Sequence, residues 1–260
     1  MSQHQQLTLP LELQGYTIRE SKRAKKLQLS VSPIGNVEVV VPAGTDRGQI
    51  PVFIARHEAW IKQSLKRIQQ YRGSIPDEAL PNRIEFQATQ QCWQVGYQMG
   101  DHYVGRENRV RESLNKTLCC AQDTDAVVEH LLQLSLKNES DVLPLLRDWL
   151  TSKAKQTLIP WIHQVSSETA LPFKSVTIRA QKTRWGSCSS RKSINLNRAL
   201  LFLKPRIVRY VLVHELCHTR HLNHSAAYWD LVRRYEPEYR ALDAALNRAT
   251  YLIPRWAYPQ

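Results

Sequence analysis

The chain of 260 residues lacks any apolar run approaching the ~18 residues of a membrane span. Its densest apolar stretches, at 199–203 and 210–213, are far shorter. The first fifteen residues (MSQHQQLTLPLELQG) show no basic segment followed by an apolar one, so no secretory signal is expected. Nine Gly and thirteen Pro are too few for a fibrous or low-complexity chain. Cysteine is sparse and odd in number: Cys92, Cys119, Cys120, Cys188 and Cys217 have no framework spacing, which predicts reduced thiols and a cytoplasmic location. Membrane, secreted and disordered classes are thereby set aside, and no membrane partner is expected. Methionine is limited to Met1 and Met99, so the C-terminal half has none.

What is abundant is positive charge. Lys and Arg total 36 against 23 Asp and Glu, a net charge of +13. Residues 1–75 carry 11 basic and 5 acidic groups, residues 76–170 carry 9 and 13, and residues 171–260 carry 16 and 5. The basic C-terminal third favours encounter with an anionic partner, such as a nucleotide or nucleic acid, although a solvated basic surface accounts for the same numbers.

Hydrophobic periodicity gives the elements. Leu27, Leu29 and Val31 alternate, as do Val37, Val39 and Val41, and Pro33 to Asn36 supply the turn of a β-hairpin. The run from Arg19 to Lys26 beside it reads as a lysine-guarded edge. From Asp46, apolar residues recur at helical spacing towards Tyr71. Strands are expected at 84–88, 92–99 and 114–121. Helices are expected at 124–137, and at 140–167 with a bend at Pro160. Two short strands, 174–178 and 193–196, flank the Gly/Ser-rich block 184–192, which reads as an ordered loop. Three helices come next, from Pro205 to about Arg220, at 225–235 and at 237–249. The domain layout predicted is a polar tail (1–15), a β-rich lobe with one long helix (16–138) and a metal-binding catalytic lobe (139–260).

The informative segment is Val213-His-Glu-Leu-Cys-His-Thr-Arg-His-Leu-Asn-His224. His214 and His218 lie four apart on a helix, where both imidazoles reach one ion. Glu215, turned ~100° from His214, lies beside that face and can hold a water without being a ligand. Leu216 points towards the core. Random placement at this composition yields HExxH in roughly one or two chains per hundred. The helix is apolar nearly all round, so two buried histidines on it would otherwise need separate hydrogen-bond partners.

Catalytic zinc takes three protein ligands and a water. His224 stands at the metzincin offset from His214, but His221 fills the glycine position of that pattern and no methionine follows to make a Met-turn. His221, Glu236 and Glu238 compete with His224 for the third place. Arg184, Asn197 and Tyr228 are candidates for an oxyanion, supporting or substrate-binding role. An extended peptide is expected to lie antiparallel to the strand at 193–197. Gly186 is expected to permit close backbone packing, with Cys188 and Cys217 as small fillers.

The blocks R-W-G-S-C-S-S at 184–190, I-N-L-N at 194–197, V-H-E-L-C-H at 213–218 and N-H-S-x-x-Y-W at 223–229 closely resemble the YgjP-like metallopeptidase family. The basic run, hairpin and Trp60-Ile61 are similar to it too. The resemblance implies an α+β fold: a zincin-like catalytic core with a small mixed or antiparallel sheet packed on helices, preceded by a β-hairpin and a helix. It implies a core related to SprT-like and gluzincin-type peptidases, with His214, His218 and His224 as ligands of Zn2+ or another divalent ion. Glu215 would be the catalytic carboxylate, acting on a peptide or protein substrate. Two rival functions remain. One is a metal-dependent nucleotide phosphohydrolase, which the same activated water would serve; the other is a protease acting on DNA-associated substrates.

Overall fold

A computed structural model describes residues 15–72, 80–99, 109–118, 127–136 and 138–258. The chain divides into two compact units at residues 75 and 76.

In the first unit, β1 (Tyr16–Ser21), β2 (Gln28–Val31) and β3 (Val37–Pro42) form a sheet in the order β1-β3-β2. The expected hairpin is present: β2 runs antiparallel to β3 with Leu29 opposite Val39. Its turn closes through Ser32, whose backbone N–H donates to the Asn36 carbonyl at 2.8 Å, and Gly35 adopts φ +88°. β1 adds a parallel strand on the far side of β3. The anticipated single helix is two, α1 (Gln49–Arg56) and α2 (Glu58–Arg72). The break is at His57, whose backbone leaves the helical region at φ −107°, ψ 8° while its ring nitrogen Nδ1 bonds the Phe53 carbonyl. Val37, Val39, Val41, Ile50, Ile54 and Ile61 make this unit's core.

The second unit begins with β4 (Arg83–Phe86), β5 (Gln91–Met99), β6 (Arg109–Leu118) and β7 (Val127–Leu136), in the order β4-β5-β7-β6. The segment expected to be helical at 124–137 is therefore a strand from 127, parallel to β5 and antiparallel to β6. Leu132, Leu134 and Leu136 are each at most 1% exposed while the residues between them are only half-buried. That is the period of two, masked in the sequence by doubled Val and Leu. Residues 119–126, which include Cys119 and Cys120, lie outside the described residues.

α3 (Val142–Thr169) continues through Pro160 and ends at Ala170, which takes the left-handed conformation at φ 53°. β8 (Ser175–Arg179), β9 (Gly186–Cys188) and β10 (Ser193–Asn197) make a second sheet in the order β8-β10-β9. β10 is parallel to β8 and antiparallel to β9. α4 (Pro205–Cys217), α5 (Ala226–Tyr235) and α6 (Tyr239–Ala249) complete the unit. The sequence places a domain boundary after residue 138, but the β4-to-β7 sheet shares one core with these helices. Phe86 stacks on Trp149 of α3 at 5.4 Å and meets Phe202 edge-on at 5.6 Å. Long-range ring packing of this kind is invisible to a linear reading of composition. Among the described residues no helix is long and apolar enough to cross a membrane.

Candidate metal centre

α4 forms because Pro205 starts it at the first helical position and an apolar run sustains it. Nine of its thirteen residues are buried, Glu215 among them. Burying a carboxylate costs more than burying a leucine gains, so Glu215 needs a reason beyond packing. The helix ends at His218, after which tight turns close through Thr219 and Arg220, whose N–H groups donate to the Leu216 and Cys217 carbonyls. The chain then reverses, and His224 returns to the face that His214 and His218 present.

One ligand atom from each of His214, His218 and His224 lies within 4.8 Å of the others. The His214 and His224 Nε2 atoms are 3.4 Å apart. Two nitrogens at ~2.05 Å from one tetrahedral ion stand ~3.3 Å apart, so this pair already has the required separation. His218 donates from Nδ1 to the His221 carbonyl at 2.9 Å, which fixes the tautomer and leaves Nε2 as an acceptor. Burial, aided by the two neighbouring imidazoles, lowers the His214 pKa to about 3, and burial lowers that of His218. Both rings are thus held neutral, the form that binds metal. The donor set fits a divalent ion.

The competitors for third ligand are placed elsewhere. His221 contributes its carbonyl, while Glu236 pairs with Arg209 at 3.0 Å and Glu238 with Arg206 at 2.6 Å. Among the described residues these three side chains form no part of the cluster.

Glu215 is 5% exposed, and among the described residues its Oε2 has no hydrogen-bond partner. Burial pushes its pKa up to about 8, against a smaller lowering by Arg184. Its carboxylate lies against Gly186: a Cβ there would stand 2.5 Å from Oε1 and 2.8 Å from Cδ. The close packing expected of Gly186 is therefore made to the candidate catalytic acid itself. Burial also pushes the thiols of Cys188 and Cys217 up to about 11 and about 12, which keeps both protonated and poor as ligands.

The three supporting candidates differ. Asn197 donates its amide hydrogens to the Gln181 and Arg184 carbonyls at 2.9 and 2.8 Å and accepts from the Ala199 N–H, so its side chain is consumed in shaping the 181–185 segment. Tyr228 is fully buried, stacks on His218 at 4.5 Å and donates its hydroxyl to the His214 carbonyl at 3.2 Å. It supports the two imidazoles from beneath and faces no solvent. Arg184 alone is exposed. Trp229 stacks on His224 at 5.4 Å and is itself stacked on Tyr239 at 5.2 Å.

One expectation is corrected. β10 is the central strand, paired on both sides, and cannot accept a peptide. The free edge nearest Glu215 is β9, inside the block read as a loop. Gly186 is the available signal, because a glycine flanked by half-buried residues marks close backbone approach.

Comparison with curated proteins finds no match. Among solved structures, the metallopeptidase zymogen abylysin of Pyrococcus abyssi is 23% identical over 33% of this chain and 87% of its own, at a TM-score of 0.31. The family described as "YgjP-like, metallopeptidase domain" matches residues 25–249, most of the chain. With that extent of match, the chain belongs to the YgjP-like metallopeptidase family.

Proposed function

We propose that the chain is a zinc-dependent peptidase in which His214, His218 and His224 hold the ion and Glu215 is the general base. The observation that carries this reading is the convergence of three imidazoles beside a desolvated carboxylate with an unpartnered oxygen. A divalent ion held there supplies Lewis acidity, polarising a carbonyl and acidifying water towards a pKa of ~7. Glu215 is favoured in its ionised form, against burial, by the charge of a bound divalent ion. The carboxylate then positions a water through Oε2, takes its proton as the oxygen attacks the carbonyl carbon, and delivers that proton to the departing amine as the C–N bond breaks. Gly186 and β9 hold the carboxylate in place, and the free edge of β9 offers main-chain hydrogen bonds to an extended peptide. Tyr228 and the His221 carbonyl keep the imidazoles oriented.

A second reading, a metal-dependent nucleotide phosphohydrolase, draws on Arg184, an exposed cation whose charge reaches Glu215. The test is metal analysis with parallel assays on a peptide library and on nucleoside triphosphates, for wild type, Glu215→Gln and His224→Ala. Peptide hydrolysis that Glu215→Gln abolishes with metal retained is the expected result. Turnover of nucleotides alone rejects the peptidase.

A further inference from the structure

Between Glu168 and Glu215 the chain carries ten Lys and Arg and no Asp or Glu. Arg198 is buried, Arg206 and Arg209 pair with Glu238 and Glu168, and Lys204 precedes α4. The other six, Lys174, Arg179, Lys182, Arg184, Arg191 and Lys192, lie on the β8-β10-β9 sheet or beside its strands, and all are exposed. Among the described residues none of the six forms an ion pair. A merely solvated surface mixes signs; the exposed charges of this sheet and its loops are all positive, and Lys182, Arg184, Arg191 and Lys192 flank the edge strand that abuts Glu215.

The cations bracket that strand. Arg184 enters β9 two residues before Gly186, and its charge acts on the Glu215 carboxyl. Lys192 closes the turn beyond the other end, and its charge reaches the Cys188 thiol, which also feels Glu215. The two ends of β9 and the candidate catalytic acid therefore share one flank. The sheet's polar residues bond among themselves, Ser175 to Ser193 at 3.0 Å and Asn195 to Ser187 at 3.3 Å. The aromatic rings beside these cations, Phe173 and Trp185, are partly buried against the core, which leaves little free face to stack a nucleobase. An unpaired edge with cations at both ends matches an extended chain bearing carboxylates better than a polynucleotide.

We infer that this surface selects peptide segments rich in Asp and Glu, bound along the free edge of β9 with Arg184 and Lys192 facing their carboxylates. The inference rests on the peptidase reading for the cleavage of a bound segment, but the surface itself is measurable without turnover.

The experiment uses the full chain as Glu215→Gln and follows fluorescence anisotropy with three labelled probes: an Asp/Glu-rich peptide, its Lys/Arg counterpart and a single-stranded oligonucleotide. The acidic peptide is expected to bind at least about tenfold more tightly than the basic one at low salt, with the gap closing at high salt. Arg184→Gln with Lys192→Gln should flatten the preference, and Arg184→Glu with Lys192→Glu should invert it. No charge preference, a preference unmoved by the reversals, or tighter binding of the oligonucleotide overturns the inference. Cleavage by wild type is measured alongside. Selective binding without cleavage of any peptide would reject the peptidase reading while leaving the surface standing.

Discussion

The carboxylate of Glu215 rests on the α-carbon of Gly186, so closely that a single methyl group at 186 would overlap its Oε1 and Cδ. A β-strand residue and a helix residue are thereby locked into one unit. Gly186→Ala forces Glu215 to move, and displacement of a catalytic group by ~1 Å can cost 10²-fold. The expected outcome is a fall in kcat of about that size with metal content unchanged, read by steady-state kinetics beside elemental analysis. A matching loss of metal would mean that Gly186 supports the ligands rather than the base.

His224 is exposed, whereas His214 and His218 belong to the packed end of α4. His224→Ala should therefore leave the folding stability of the metal-free protein nearly unchanged. Metal affinity should fall by more than about the hundredfold that loss of a supporting contact can cause. Thermal unfolding after chelation measures the stability, and competition against a chromophoric chelator measures the affinity.

Tyr228 combines a buried ring with one hydrogen bond to the His214 carbonyl. Tyr228→Phe removes the bond and keeps the ring, so a loss of about 1 kcal/mol is expected. Tyr228→Ala removes the floor under His218 and His224 and should cost about 3–5 kcal/mol. Urea unfolding of the two variants separates the contributions.

Arg198 is 5% exposed and, among the described residues, forms no ion pair; it donates to the Arg147 carbonyl, the Thr151 hydroxyl and the Ala257 carbonyl. Arg198→Met strands these acceptors and removes one tie between the C-terminal segment and α3, leaving the Arg147 bond to the Trp256 carbonyl. A destabilisation of about 2–4 kcal/mol is expected, together with faster proteolysis near Ala257. Limited digestion with mass spectrometry of the fragments would show it.

The candidate metal face is legible in the sequence because its geometry is local. Spacing of four puts His214 and His218 on one side of a helix, and apolar neighbours declare that helix internal. The hairpin that pairs Leu29 with Val39 is legible for the same reason: alternation and turn residues act over a few positions. β7 reads wrongly as a helix because doubled Val and Leu satisfy both periods, and only its parallel pairing with β5 decides between them. β9 is hidden because three residues of Gly-Ser-Cys have no strand propensity of their own.

The sequence by itself determined the helix that bears His214, Glu215 and His218, and with it the chemistry those side chains can perform. It offered His224, His221 and two glutamates as candidates for a third ligand. Tertiary structure brings the His224 ring to those of His214 and His218, while among the described residues the His221 side chain lies outside that cluster and distant arginines pair with Glu236 and Glu238. It also decided which strand stands at the edge and that a glycine about thirty residues earlier carries the carboxylate. Contacts between residues far apart in the chain are fixed by how buried surfaces fit together, and no local spacing encodes that fit.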